Sequence, residues 1–226
     1  MGAYGGPDII TDGLIFAVDA GSGRSYSGSG TTAYNIINNA SCTLNNGVGF
    51  GSGNGGYFDF DGVDDNITIP NDSIPSSATT NKVSICFWSY GEVENQSNSI
   101  IEGNNSTGGR TVNIHMPWGN NTIYWDNPDR LTYQLSTGQS LGWHYWSFTK
   151  DAATGASAIY QDGVLLASNS TAFSSIAATT SVKIGSYVIN TTFWRGNLGV
   201  FQIYDKPLTL AEIQQNFNAQ KSRFGL

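Results

Sequence analysis

The chain has 226 residues, of which 39% are hydrophobic and only 12% are charged, and its net charge is −7. Globular proteins carry about a quarter charged residues, so the polar share here falls to the Gly, Ser, Thr and Asn of turns and strand faces. Ten Lys and Arg, scattered singly, form no basic stripe, which excludes nucleic acid as a partner. Eleven Tyr, eleven Phe and six Trp supply a core and exclude a disordered chain.

The opening "MGAYGGPDIITDGLIFAVDAG" has no cationic start and no apolar run long enough for a signal peptide or a membrane span. Gly6 stands where a myristoylation pattern requires Ser or Thr. The expectation is a chain made in the cytoplasm without a secretion route and with no membrane partner. "GSGRSYSGSG" and "GFGSGNGG" read as loops between early strands. In "GGYFDF", Phe58 and Phe60 fall on one face and Tyr57 and Asp59 on the other. "DGVDD" turns the chain, and "NITIP" sends Ile67 and Ile69 inward. "KVSICFWSY" alternates Val83, Ile85 and Phe87 against Ser84, Cys86 and Trp88, which predicts a half-buried thiol at Cys86. Cys42 and Cys86 show no CxxC spacing, so neither a disulfide scaffold nor a zinc site is indicated.

"NIHMPWGNNTIYWD" reads as a hairpin, with Val112, Ile114 and Met116 on one strand, a Gly119-Asn120 turn, and Ile123 and Trp125 on the next. "WHYWSFTK", "SAIYQDGVLLA", "SVKIGSY" and "GVFQIYD" continue the alternation. Asp162-Gly163 is the strongest hairpin signal, because a type I′ turn needs positive φ at both central residues. One helix closes the chain. Thr209 and Glu212 have capping-box spacing, and Leu210, Ile213 and Phe217 make an apolar stripe. The pattern predicts an all-β, two-sheet antiparallel sandwich with a short C-terminal helix.

In order, "DGLIFAVDAG", "GGYFDFDGVDDNITIP", "VSICFWSY", "GWHYWSFTKDAATGASAIYQDGVLLA" and "GVFQIYDKPLTLAEIQQNFNAQKSRFGL" resemble the laminin-G-like, concanavalin A-like jelly-roll family. The resemblance runs from Asp12 to Leu226, so residues 1–11 read as an N-terminal arm and 12–226 as one jelly-roll domain. It implies a fold whose members mostly bind glycans or proteins, while a minority hydrolyse polysaccharides and some hold calcium at a sandwich rim. The closing "NFNAQKSRFGL" resembles the ends of such domains in virion proteins of tailed phages, marine ones especially.

Fold alone does not choose among these roles, so residues must. The glucanases of this fold carry a Glu-x-Asp-x-Glu run, and the four glutamates here, Glu92, Glu94, Glu102 and Glu212, form none. No nucleophile motif accompanies His115 or His144, which read as structural. Asp61, Asp64 and Asp65, with Asp59 close by, read first as a turn tied by its own side chains and second as a calcium site. The aromatic hairpin reads first as packing and second as a ligand platform of His115, Trp118, Asn120, Tyr124 and Asp126. Tyr124 and Trp125 must face opposite ways, and Trp118 is the ring expected beside solvent. The resulting expectation is a non-enzymatic virion surface protein, a capsid decoration or a small fibre or knob protein. It would associate with other virion proteins or copies of itself and adhere to surface polysaccharide, with no cofactor required and calcium as the candidate ion. The alternative is a free carbohydrate-binding module or bacterial lectin.

Overall fold

A computed structural model describes residues 8–189 and 191–226. The strands, in chain order, are β1 (Leu14–Asp19), β2 (Thr32–Tyr34), β3 (Ser41–Asn45), β4 (Gly49–Gly51), β5 (Tyr57–Asp61), β6 (Asn66–Ile69), β7 (Lys82–Gly91) and β8 (Ile101–Asn104). They continue with β9 (Arg110–His115), β10 (Thr122–Asp126), β11 (Arg130–Gln134), β12 (Gly142–Asp151), β13 (Ala156–Gln161), β14 (Val164–Asn169), β15 (Ser181–Ile184) and β16 (Arg195–Tyr204). A helix, α1 (Leu210–Gln220), follows. They form two eight-stranded sheets. The first runs β14-β13-β12-β7-β16-β5-β4 with β1 beside β16, and the second runs β11-β10-β9-β8-β15-β6-β3-β2. The alternation read from sequence is therefore a sandwich, with every strand pair antiparallel.

The inward faces meet as expected. Phe87 of the first sheet stacks on Phe201 at 5.5 Å and on Phe148 at 5.9 Å. Across from them lie Ile67, Ile101, Val112, Ile114, Ile123, Val182 and Ile184, all fully buried. Trp125 ties the sheets together: its ring meets Phe148 edge-on at 5.8 Å, and its indole N–H donates to Thr149 O at 3.1 Å. The indole thus satisfies its one donor inside the core.

Three local expectations change. Cys86 and Trp88 are wholly buried rather than half-exposed, because α1 and residues 221–224 cover the outer face of the first sheet. Trp88 stacks on Phe224 at 4.3 Å and donates its indole N–H to Gln220 Oε1 at 2.8 Å. Leu210, expected on the apolar stripe, is 46% exposed, while Leu208, just before the Thr209 cap, is buried. The stripe that packs is Ile213, Asn216 and Phe217. Finally, the stretches read as early loops contain β4, and Tyr26 of the first loop packs into the core.

The capping box forms as read: Thr209 Oγ1 accepts from Glu212 N while Glu212 Oε2 accepts from Thr209 N. Asp162 (φ 51°) and Gly163 (φ 78°) take the two positive-φ positions of their hairpin. Cys42 lies in the sandwich core and Cys86 in the layer beneath α1, both as free thiols. Burial pushes the Cys42 thiol up to about 12 and the Cys86 thiol up to about 11, so both remain protonated and inert.

Of the N-terminal arm, residues 1–7 lie outside the described residues. Asn216 accepts from Ile10 N at 2.7 Å, and Gln215 donates to Asp8 O at 2.8 Å, so residues 8–10 rest on α1. Among the described residues, no helix is long and apolar enough to cross a membrane.

Candidate binding site on the outer face of the second sheet

The hairpin pairs His115 with Tyr124, Ile114 with Trp125 and Asn113 with Asp126. Period-two alternation therefore sends Ile114 and Trp125 into the core and His115, Tyr124 and Asp126 to the outer face. The turn differs from the one expected. Asn121, at φ 57°, takes the left-handed position, and Asn121 N donates to Trp118 O at 2.8 Å. Asn is one of the few residues with a side chain that takes this conformation readily. Trp118 is thereby turned back over the outer face, half-buried.

There the Trp118 ring meets His115 edge-on at 4.5 Å and lies nearly parallel to Tyr187 at 6.4 Å. Arg110, His115, Trp118, Tyr124, Arg130 and Tyr187 line a cavity of about 210 Å³. Arg110, Arg130 and Tyr187 escape the sequence reading. Tyr187 is remote in the chain and arrives because β15 lies beside β8, which lies beside β9. Arg130 was within reach of a register argument, since the turn "DNPD" sets it opposite Asp126.

Asp126 is the anchor. Its Oδ1 accepts from Arg130 Nε at 2.5 Å, and its Oδ2 accepts from Arg130 Nη2 at 2.8 Å and Arg110 Nη1 at 3.3 Å. Each guanidinium also leans on a ring, Arg130 on Tyr124 with its carbon 4.9 Å from the centroid and Arg110 on Tyr187 at 5.1 Å. Asn120 is exposed and does not line the cavity; it donates to the Tyr124 hydroxyl at 2.8 Å and so fixes that ring. Behind them, Asn113 donates to the buried Glu102 carboxylate at 2.7 Å.

His115 is held neutral. Its Nδ1 lies 3.1 Å from Asn98 O, a carbonyl that can only accept, so Nδ1 carries the proton. Its Nε2 then accepts from Arg110 Nη1 at 3.5 Å. Burial first, with help from the Arg110 charge, pulls its pKa down to about 4. The ring is a wall and an acceptor, its one N–H committed to Asn98 O.

The other candidates lie elsewhere. His144 sits between Asp162 Oδ2 at 2.7 Å and Leu141 O at 3.2 Å, a structural role as expected. Each glutamate is engaged: Glu92 with Arg195 at 2.9 Å, Glu94 with Gly138 N at 2.6 Å, Glu102 with Asn113, and Glu212 in the helix cap. At the rim, Asp61, Asp64 and Asp65 bring one oxygen each within 4.8 Å of one another. Asp61 Oδ1 accepts from Val63 N at 2.7 Å and Asp65 Oδ2 from Asp61 N at 3.0 Å. Calcium takes six to eight oxygens; Asp61 and Asp65 each spend one oxygen on the loop's own N–H groups, while Asp65 Oδ1 is buried without a hydrogen-bond partner. A larger cleft of about 510 Å³ beside Pro70–Ser76 has no aromatic side chain in its lining, so it offers no ring for stacking.

Residues 61–214 match the family described as the concanavalin A-like lectin/glucanases superfamily. Solved structures share the fold at low identity. A Trypanosoma rangeli sialidase in complex with 2,3-difluorosialic acid has a TM-score of 0.72 at 12% identity, over 98% of this chain and 35% of the sialidase. The receptor-binding domain of the botulinum neurotoxin C/D mosaic serotype gives 0.70 at 17% identity, over 93% of this chain and 52% of that one. Domain 4 of AbnA, an extracellular arabinanase of Geobacillus stearothermophilus in complex with arabinotriose, gives 0.66 at 17% identity, over 91% of this chain and 98% of that domain. The chain thus spans about a third of the sialidase and half of the toxin domain, and nearly all of the arabinanase domain. No curated protein matches. By the match over most of its length and by the sandwich it forms, the chain belongs to the concanavalin A-like lectin/glucanase superfamily.

Proposed function

We propose that this chain is a non-catalytic glycan-binding module that seats a saccharide in the cavity of the second sheet. The observation that carries this reading is convergence. Three half-buried rings, Trp118, Tyr124 and Tyr187, and two exposed guanidinium groups surround one small cavity on an otherwise weakly charged protein. Sugars present apolar C–H faces to rings and hydroxyls to polar groups, so a saccharide site needs both side by side. At about 210 Å³ the cavity suits a single sugar unit or a chain end, since enclosed small-molecule pockets run ~300–1,000 Å³. Domain 4 of the arabinanase, an oligosaccharide complex, supports the reading as an analogue of fold.

The proposed setting is the surface of a tailed-phage virion, as a capsid decoration or small knob, with further virion proteins or copies of the chain as partners. The sequence "NFNAQKSRFGL" supports it. In the fold those residues are also the ones that lock α1 down: Phe217 and Phe224 cover Trp88, and Arg223 pairs with Asp19. The binding reading does not depend on the setting.

The test is a glycan array probed with the intact chain and with Trp118→Ala. Saccharide binding by the parent that falls in the variant supports the site. Binding that survives the substitution places the saccharide elsewhere and refutes it.

A further inference from the structure

Asp126 Oδ2 accepts from both arginines, Arg110 Nη1 at 3.3 Å and Arg130 Nη2 at 2.8 Å, so two guanidinium groups converge on one carboxylate. A second carboxylate, Glu102, lies 3.7 Å from Arg110 Nε, so two acids face two guanidinium groups and their placement decides what a ligand meets. Depth sorts the signs. The carboxylate side chains are 9% and 4% exposed at Asp126 and Glu102, against 36% and 54% at Arg110 and Arg130. A ligand therefore meets the cations first. The neutral His115 ring adds no charge, and the bonds to Asp126 use Arg130 Nε and Nη2, leaving Nη1 for a ligand. This cationic spot sits on a chain of net charge −7, so it is a local feature of the pocket.

We infer that the saccharide taken here carries a carboxylate, as uronic and sialic acids do, gripped by the guanidinium groups of Arg110 and Arg130 beside the Trp118 ring. The inference rests on the glycan-binding reading above. A planar guanidinium matches a carboxylate in shape and forms charge-assisted hydrogen bonds that a neutral hydroxymethyl group cannot replace.

The experiment is an array of neutral, carboxylated and sulfated oligosaccharides probed with the full chain. The best carboxylated binder is then titrated beside its carboxyl-reduced counterpart. The expected result is binding concentrated among carboxylated sugars, with reduction weakening affinity about tenfold, the worth of one charge-assisted contact. Arg130→Gln should erase that difference, Arg130→Lys should keep part of it, and Trp118→Ala should weaken both ligands alike. Equal affinity for acid and neutral forms, still sensitive to Trp118→Ala, overturns the carboxylate assignment and leaves the glycan reading standing. A preference for sulfated sugars overturns the carboxylate assignment as well. An array with no binders overturns both readings. Urea unfolding of each variant separates lost contacts from lost fold.

Discussion

Asp126→Asn is the perturbation that bears hardest on the site's architecture. The carboxylate side chain is 9% exposed and holds three guanidinium N–H groups. An amide of the same shape keeps one acceptor oxygen and turns an NH₂ toward a guanidinium, donor against donor. Removing one partner of a fully buried ion pair costs ~3–5 kcal/mol. Here both arginines reach water, which brings the expected loss down to ~1–2 kcal/mol. With an m-value of about 3 kcal/mol/M for a chain of this size, the urea midpoint should fall by roughly 0.3–0.7 M with the slope unchanged. Tryptophan fluorescence reads the transition. Because Asp126 and Arg130 touch, the double variant with Arg130→Gln should lose less than the two singles together. An unchanged midpoint, or singles that simply add, would refute the claim that Asp126 organises the pocket.

Other expectations concern pH, the helix and the rim. His115 stays neutral in the fold down to about 4, whereas in the unfolded chain it takes up a proton near ~6.5. Its contribution to stability is therefore lost as pH falls from ~6.5 to ~4, by about 3 kcal/mol in all, and levels off below. Glu102, whose folded pKa is raised, acts with the opposite sign, so the quantity to measure is the stability difference between the parent and His115→Asn across that window. A difference independent of pH would show the imidazole charged or solvated. Thr209→Ala removes the capping box and should cost ~1 kcal/mol in thermal unfolding; no loss would show that the box contributes nothing. At the rim, melting should be the same with chelator and with millimolar calcium. A rise with calcium that Asp65→Asn abolishes would show that the three carboxylates hold the ion after all.

Much of the sandwich was legible because it rests on period two. Phe58 and Phe60, Val83 to Phe87, and Ile114 with Trp125 declare their inner faces without knowledge of the neighbours. Asp162-Gly163 and Thr209-x-x-Glu212 were legible for the same reason, being local chemistry. Trp88 and Cys86 were not, since their burial depends on α1 folding back over the sheet from more than a hundred residues away. Nor was Leu210, whose place at the first turn of α1 leaves it in solvent while Leu208 packs. The site divides along the same line. His115, Trp118, Tyr124 and Asp126 come from one hairpin and were found together. Arg110 lies at the far end of β9, and Tyr187 follows β15. Arg110 is thus on the hairpin's own first strand, whereas only the order of strands in the second sheet brings Tyr187 to it.

The most direct test of the account is a titration of ¹⁵N-labelled protein with the best saccharide from the array, following the tryptophan indole N–H signals. Trp125 and Trp88 have theirs engaged with Thr149 O and Gln220 Oε1, away from the cavity. The expected result is a concentration-dependent shift of the Trp118 indole, with those two unmoved. A saccharide that binds while the Trp118 signal stays still, or that moves the Trp143 signal instead, would contradict the central claim.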